Sequence, residues 1–159
     1  MSDGKCLVVY YSRTGNTRRV AEQVAQGLGC ETQELTDAKS RAGVLGFIKG
    51  GFDAARKKGT QIGEVTHDPG DYDLVVLGTP VWAGTMTPAV RTYLDEQKDR
   101  LPQVAFFLTT GGSGVERTFR HMQEKCGKAP RAILNLRDKE VRKGDPTEAI
   151  NTFIEKLKA

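Results

Sequence analysis

No apolar run in the chain approaches twenty residues, which excludes a membrane-spanning helix as a reading of this sequence. The opening stretch MSDGKCLVVYYSRTG has no basic n-region, and its apolar run stops at Ser12. No secretory signal is expected, and the expected compartment is the cytoplasm. Cysteine is scarce: Cys6, Cys30 and Cys126 lie far apart, and no CxxC pair exists. An odd count argues against a disulfide framework, so all three are expected as buried or partly buried free thiols. His67 and His121 share no ligand spacing with them, and no metal site is expected. The net charge is only +4, without a basic stripe interleaved with aromatics, so nucleic acid is not an expected partner. The short RKK run at 56–58 reads as a helix C-terminus stopped by Gly59. Nucleotide loops of the GxxxxGK[ST] and GxGxxG types are missing; GGSGVER at 111–117 comes closest, with Arg117 where a third glycine would stand. Repeats, linkers and low-complexity tracts are lacking too. One domain over residues 1–159 is expected, long enough for a real core.

What is present alternates. Near-continuous apolar runs at 6–11, 73–78 and 104–110 read as strands covered on both faces, with shorter strands near 32–36 and 132–136. Helical spacing marks about 15–28, 42–58, 87–98 and 115–126, and a last helix after the capping-box-like Asp145-Pro146-Thr147-Glu148. Thr87 is expected to cap the third of these helices, with Pro88 at its first position. Strict alternation predicts an α/β fold: a single-domain, doubly wound, five-stranded parallel sheet with helices on both faces. In such sheets ligands sit outside the carboxyl ends of the strands, so the loops after the first, third and fourth strands carry the functional argument.

After the first strand come Ser12, Arg13, Thr14, Gly15, Asn16 and Thr17. Their hydroxyls, the Asn16 amide and the N–H groups of a helix start can converge on one anion, and the helix dipole adds attraction. A single helix cap needs one such side chain, whereas this loop holds four, so it reads as a phosphate cup. After the third strand, TPVWAGTMTP (79–88) carries the chain's one tryptophan. A lone Trp is more often a packing residue. Its place at the binding edge instead suits a flat ring lying against a planar ligand. After the fourth strand, TTGGSG (109–114) offers small residues and backbone N–H groups that a heteroaromatic ring can approach closely. A monophosphate at one end and a flat polar ring at the other fit these loops together.

These motifs resemble those of the flavodoxin family. The Tyr11–Thr17 run is similar to its phosphate loop, [ST]-x-[ST]-G-x-T; DYDLVVLGTPVWAGTMTPAV (71–90) resembles its ring-covering loop, and LTTGGSG its third loop. The resemblance implies strand order 2-1-3-4-5 and one non-covalent flavin mononucleotide (FMN). It places Ser12, Arg13, Thr14, Gly15, Asn16 and Thr17 on the phosphate. It sets Thr79, Pro80, Val81, Trp82, Ala83 and Gly84 beside the isoalloxazine, and Thr110, Gly111, Gly112 and Ser113 at the pyrimidine edge. It implies an electron-transfer protein passing electrons between redox partners, with an NAD(P)H-dependent flavin or quinone reductase as the alternative. No catalytic acid or base stands out in the sequence. Two features set this chain apart from typical family carriers: its third loop lacks an aromatic residue, and it is basic overall. Arg13, Arg18, Arg19 and Arg91 are expected to rim the flavin edge and to favour a partner with an acidic or near-neutral docking face, the chain itself being a monomer or small homo-oligomer.

Overall fold

Five strands form one parallel sheet in the order β2-β1-β3-β4-β5. They are β1 (Cys6–Tyr11), β2 (Glu31–Leu35), β3 (Leu74–Pro80), β4 (Gln103–Thr110) and β5 (Ile133–Arg137). The computed structural model describes residues 4–37, 62–144 and 146–159. The helix expected at 42–58, the RKK run and Asp145 lie outside those residues.

β1, β3 and β4 are buried almost throughout because helices cover both faces of the sheet's centre. One face packs Leu7, Val9, Leu77, Phe106 and Leu108 against Val90, Tyr93 and Leu94 of α2 (Pro88–Gln97) and Met122 of α3 (Val115–Cys126). The other packs Val8, Val76 and Phe107 against Val20 and Val24 of α1 (Asn16–Leu28) and Ile150, Phe153 and Leu157 of α5 (Thr147–Lys158). β5 is an edge strand, and it alternates accordingly: Leu134 and Leu136 point inward while Ile133 is half exposed. Gly78 is required where it stands, since a Cβ there would lie 2.0 Å from Phe107 Cζ.

The structure corrects three expectations. Cys6 and Cys30 are not free thiols but a disulfide, with Cα atoms 5.1 Å apart. The parallel crossover brings the start of β1 beside the residue that precedes β2, which a separation of 24 conceals in the sequence. Cys126 is free and buried, and burial pushes its thiol pKa up. Thr87 stands at the α2 N-terminus without a side-chain cap bond. Its hydroxyl instead lies 3.2 Å from Thr79 Oγ1, which also accepts from the Thr87 N–H. Finally, a short helix, α4 (Asp138–Arg142), follows β5 directly and was not expected. Among the described residues no helix is long and apolar enough to cross a membrane.

Candidate functional site

At the end of β1 the chain must turn sharply to begin α1. The Gly15 N–H donates to Ser12 Oγ at 3.1 Å, and Gly15 takes φ 103°. That conformation is cheap only for glycine. No side chain caps α1, and no acidic residue sits in its first turn. A helix start so arranged presents backbone donors and a positive dipole end with no carboxylate of its own to satisfy them.

The loop is tied into the sheet. Thr17 Oγ1 lies 2.8 Å from Thr109 Oγ1 at the end of β4, and Asn16 Nδ2 donates to Asp138 Oδ1 at 3.3 Å. Two residues that sequence reasoning missed therefore belong to this edge. Thr109 is one position earlier than the predicted third-loop residues. Asp138 comes from the fifth strand's end, whose sequence carries no loop motif.

The second loop folds into a tight turn. Trp82 and Thr85 exchange both backbone hydrogen bonds, at 2.9 and 3.1 Å. The two residues between them, Ala83 at φ 51° and Gly84 at φ 75°, both lie in the left-handed region. Among the described residues Ala83 is the one non-glycine there. Two left-handed centres define a primed turn, which glycine tolerates freely and alanine does not. The Trp82 ring meets Tyr11 edge-on, centroids 5.5 Å apart at 90°, which fixes its orientation at the end of β1.

In the third loop Thr110 Oγ1 accepts from the Gly112 N–H and lies 3.2 Å from the Ser113 carbonyl, to which it donates. A Cβ placed on Gly111 or Gly112 would meet nothing within 4 Å, so both face open space. Gly114 is different: its Cβ would lie 2.8 Å from Gly84 Cα, because the second and third loops touch backbone to backbone there.

One cavity of about 280 Å³ joins these parts; it is lined by Arg13, Thr14, Asn16, Thr17, Pro80, Val81, Trp82, Thr109, Gly111 and Asp138. All three predicted loops thus reach one place at the carboxyl edge of the sheet. Ser12, Gly15, Ala83, Gly84, Thr110, Gly112 and Ser113 shape the loops without lining it. Thr79 is fully buried behind the second loop, spent on Thr87 and the Pro80 carbonyl. The Asp138 carboxylate stands in the same cavity, engaged by the Asn16 amide at the α1 start, while Arg13 and Thr14 line it from the first loop. A larger cavity, about 640 Å³, lies at the opposite edge against Cys6, Leu74 and Gln103. Those residues begin their strands, and the amino edge of a doubly wound sheet is not where ligands gather.

The expected cationic rim is reduced. Arg91 is buried, at 7% exposure, and does not reach the rim. Arg18 forms an ion pair with Glu34. Arg13 lines the cavity, Arg19 is exposed, and Arg117 Nη1 lies by the second loop, 3.4 Å from where a Gly84 Cβ would be.

Sequence and structure comparisons give the family and the fold. The Flavodoxin family profile matches residues 5–157, and the chain belongs to the flavodoxin family. It is similar to a flavoprotein from Lactobacillus acidophilus solved in complex with FMN, at 26% identity and TM-score 0.73, covering 88% of this chain and 97% of that one. The apo-form of the flavoprotein from the same organism matches at 26% identity and TM-score 0.61, over 89% and 97% of the two chains. Two-electron reduced Megasphaera elsdenii flavodoxin shares the fold at 18% identity and TM-score 0.60, over 97% and 99%.

Proposed function

We propose that the chain binds one FMN without a covalent bond and passes electrons between redox proteins. The observation that carries this reading is the convergence of the three loops on one cavity beside a helix start with no side-chain cap and no acidic residue in its own first turn. The donor set fits the group. Thr14, Arg13 and the first N–H groups of α1 suit a single phosphate. Gly111 and Gly112 leave open space for a ring, and Trp82, held by Tyr11, stands at its side. A cup for one phosphate favours FMN over a dinucleotide flavin. At about 280 Å³ the cavity lies just below the usual range for ligand sites, which fits a flavin held with one edge outside, where a partner can reach it.

When bound, the flavin supplies one- and two-electron chemistry; the protein's residues supply binding, orientation and field. Arg13 lines the cavity and Arg117 lies beside the second loop, so the docking partner we propose has an acidic or near-neutral face, met in the cytoplasm. Steering of this kind acts on encounter rate and fades with salt. The test mixes the flavin-loaded chain anaerobically with NADH or NADPH alone, then with a reduced acidic redox protein. The carrier reading expects negligible NAD(P)H consumption, and rapid reduction by the protein partner that slows as salt rises. Steady NAD(P)H turnover with free flavin or quinone would replace it with the reductase reading.

A further inference from the structure

Beneath the Trp82–Thr85 turn lies a buried cation with almost nothing to bind. Arg91, in the first turns of α2, is 7% exposed. Its Nη2 donates to Thr85 Oγ1 at 3.1 Å, its Nε has no hydrogen-bond partner, and among the described residues it forms no ion pair. The acidic residue whose charge acts on it, Asp95, is engaged with Lys125 at 2.7 Å. Burying a guanidinium against one hydroxyl is an expensive arrangement, and an aliphatic side chain would cover the same floor without that cost.

The hydroxyl it grips is itself committed. Thr85 is 1% exposed, and its Oγ1 lies 2.8 Å from Nδ1 of His121 on α3. A hydroxyl has one proton. With Arg91 donating to the oxygen, that proton is free for His121 Nδ1 in the tautomer that leaves this nitrogen unprotonated, and in the other tautomer the oxygen accepts from both. The chain Arg91–Thr85–His121 therefore joins α2 and α3 through the last residue of the turn. The same turn holds Ala83 in a left-handed conformation that alanine does not favour. A strained turn persists only where its surroundings over-determine it.

We propose that Arg91 and His121, acting through the buried Thr85 hydroxyl, are positioning residues that lock the Ala83–Gly84 turn in place against the flavin ring. The inference rests on the FMN reading above and names residues that none of the three loop motifs contains. Its mechanical part concerns only this chain; its redox part concerns a flavin in the cavity that Trp82, the first residue of the turn, lines.

The test compares wild type with Thr85→Val, which keeps the shape and removes the hydroxyl, and with Thr85→Ser, which restores it. Amide hydrogen exchange at Trp82 and Thr85 reports the turn itself, with and without FMN. The two one-electron potentials of the loaded protein report what the turn does to the ring. Thr85→Val should speed exchange of both amides by about tenfold, the loss of one net hydrogen bond. It should also shift the gap between the two potentials by about 59 mV, which is a tenfold change for a one-electron couple. Thr85→Ser should return both towards wild type. Unchanged exchange and potentials in Thr85→Val overturn the proposal, as does failure of Thr85→Ser to rescue either. Should Thr85→Val not fold, the Thr85→Val/Arg91→Met pair removes hydroxyl and charge together. It should fold with the same loosened turn, and a turn as slow to exchange as wild type in that protein is again a refutation. Wild-type protein that takes up no flavin removes the redox part, and exchange in the flavin-free chain then decides the mechanical part.

Discussion

Gly84 and Gly114 meet through their backbones, and that contact sets how closely the second and third loops can approach. A Cβ on Gly114 would stand 2.8 Å from Gly84 Cα and 3.2 Å from Val81 Cγ1, at a φ of +84°. The first neighbour is backbone and cannot swing aside. Gly127, at φ +71° with nothing within 4 Å, isolates the conformational cost alone, about 1–2 kcal/mol for a left-handed alanine. Gly127→Ala should therefore lose stability of that order and leave FMN affinity as it is. Gly114→Ala should lose more stability and weaken FMN binding at least about tenfold, since the loops must part. Isothermal titration and denaturant unfolding of the two variants decide it; equal effects on affinity would mean that the loop contact does not shape the site.

At the scale of elements, the central strands and their loops were legible because the physics there is local. CLVVYY and the cores of the other two strands, LVVL and VAFFL, are apolar runs, as doubly covered strands must be, and each run ends abruptly in polar or glycine residues. What was not legible depends on register between distant segments. Thr109, not Thr110, lines the cavity, because alternation along β4 decides which of two adjacent threonines faces it. Asp138 reaches the same cavity only because β5 lies beside β4, with Arg137 opposite Thr110. Thr87 has the residue type of a cap, yet Thr79, eight positions earlier, takes its groups. Arg91 has the composition of a rim residue, but the α2 stripe turns it inward.

The Cys6–Cys30 disulfide belongs to this class too, and it is testable. Closing a loop of this length stabilises a chain by about 3 kcal/mol in the chain-entropy view. A Cys6→Ser/Cys30→Ser protein should lose that much in denaturant unfolding. Its FMN affinity should be kept, because the bond lies at the amino end of β1 and the site at the carboxyl end. Wild type and double variant unfolding at the same denaturant concentration, under non-reducing conditions, would show that the bond does not hold the native state.

Across the whole molecule, a doubly wound sheet places a larger cavity at its amino edge and a smaller one at its carboxyl edge, and the smaller is the one with chemistry. The account stands or falls on what that smaller cavity holds. The direct measurement is mass analysis of the ligand released from purified, flavin-reconstituted protein, made side by side with Thr14→Asp. The account predicts one FMN per chain in wild type. It predicts at least about a hundredfold weaker retention in Thr14→Asp, where a carboxylate faces the phosphate across the cup. Release of FAD, no flavin at all after reconstitution, or FMN held equally well by Thr14→Asp would contradict it.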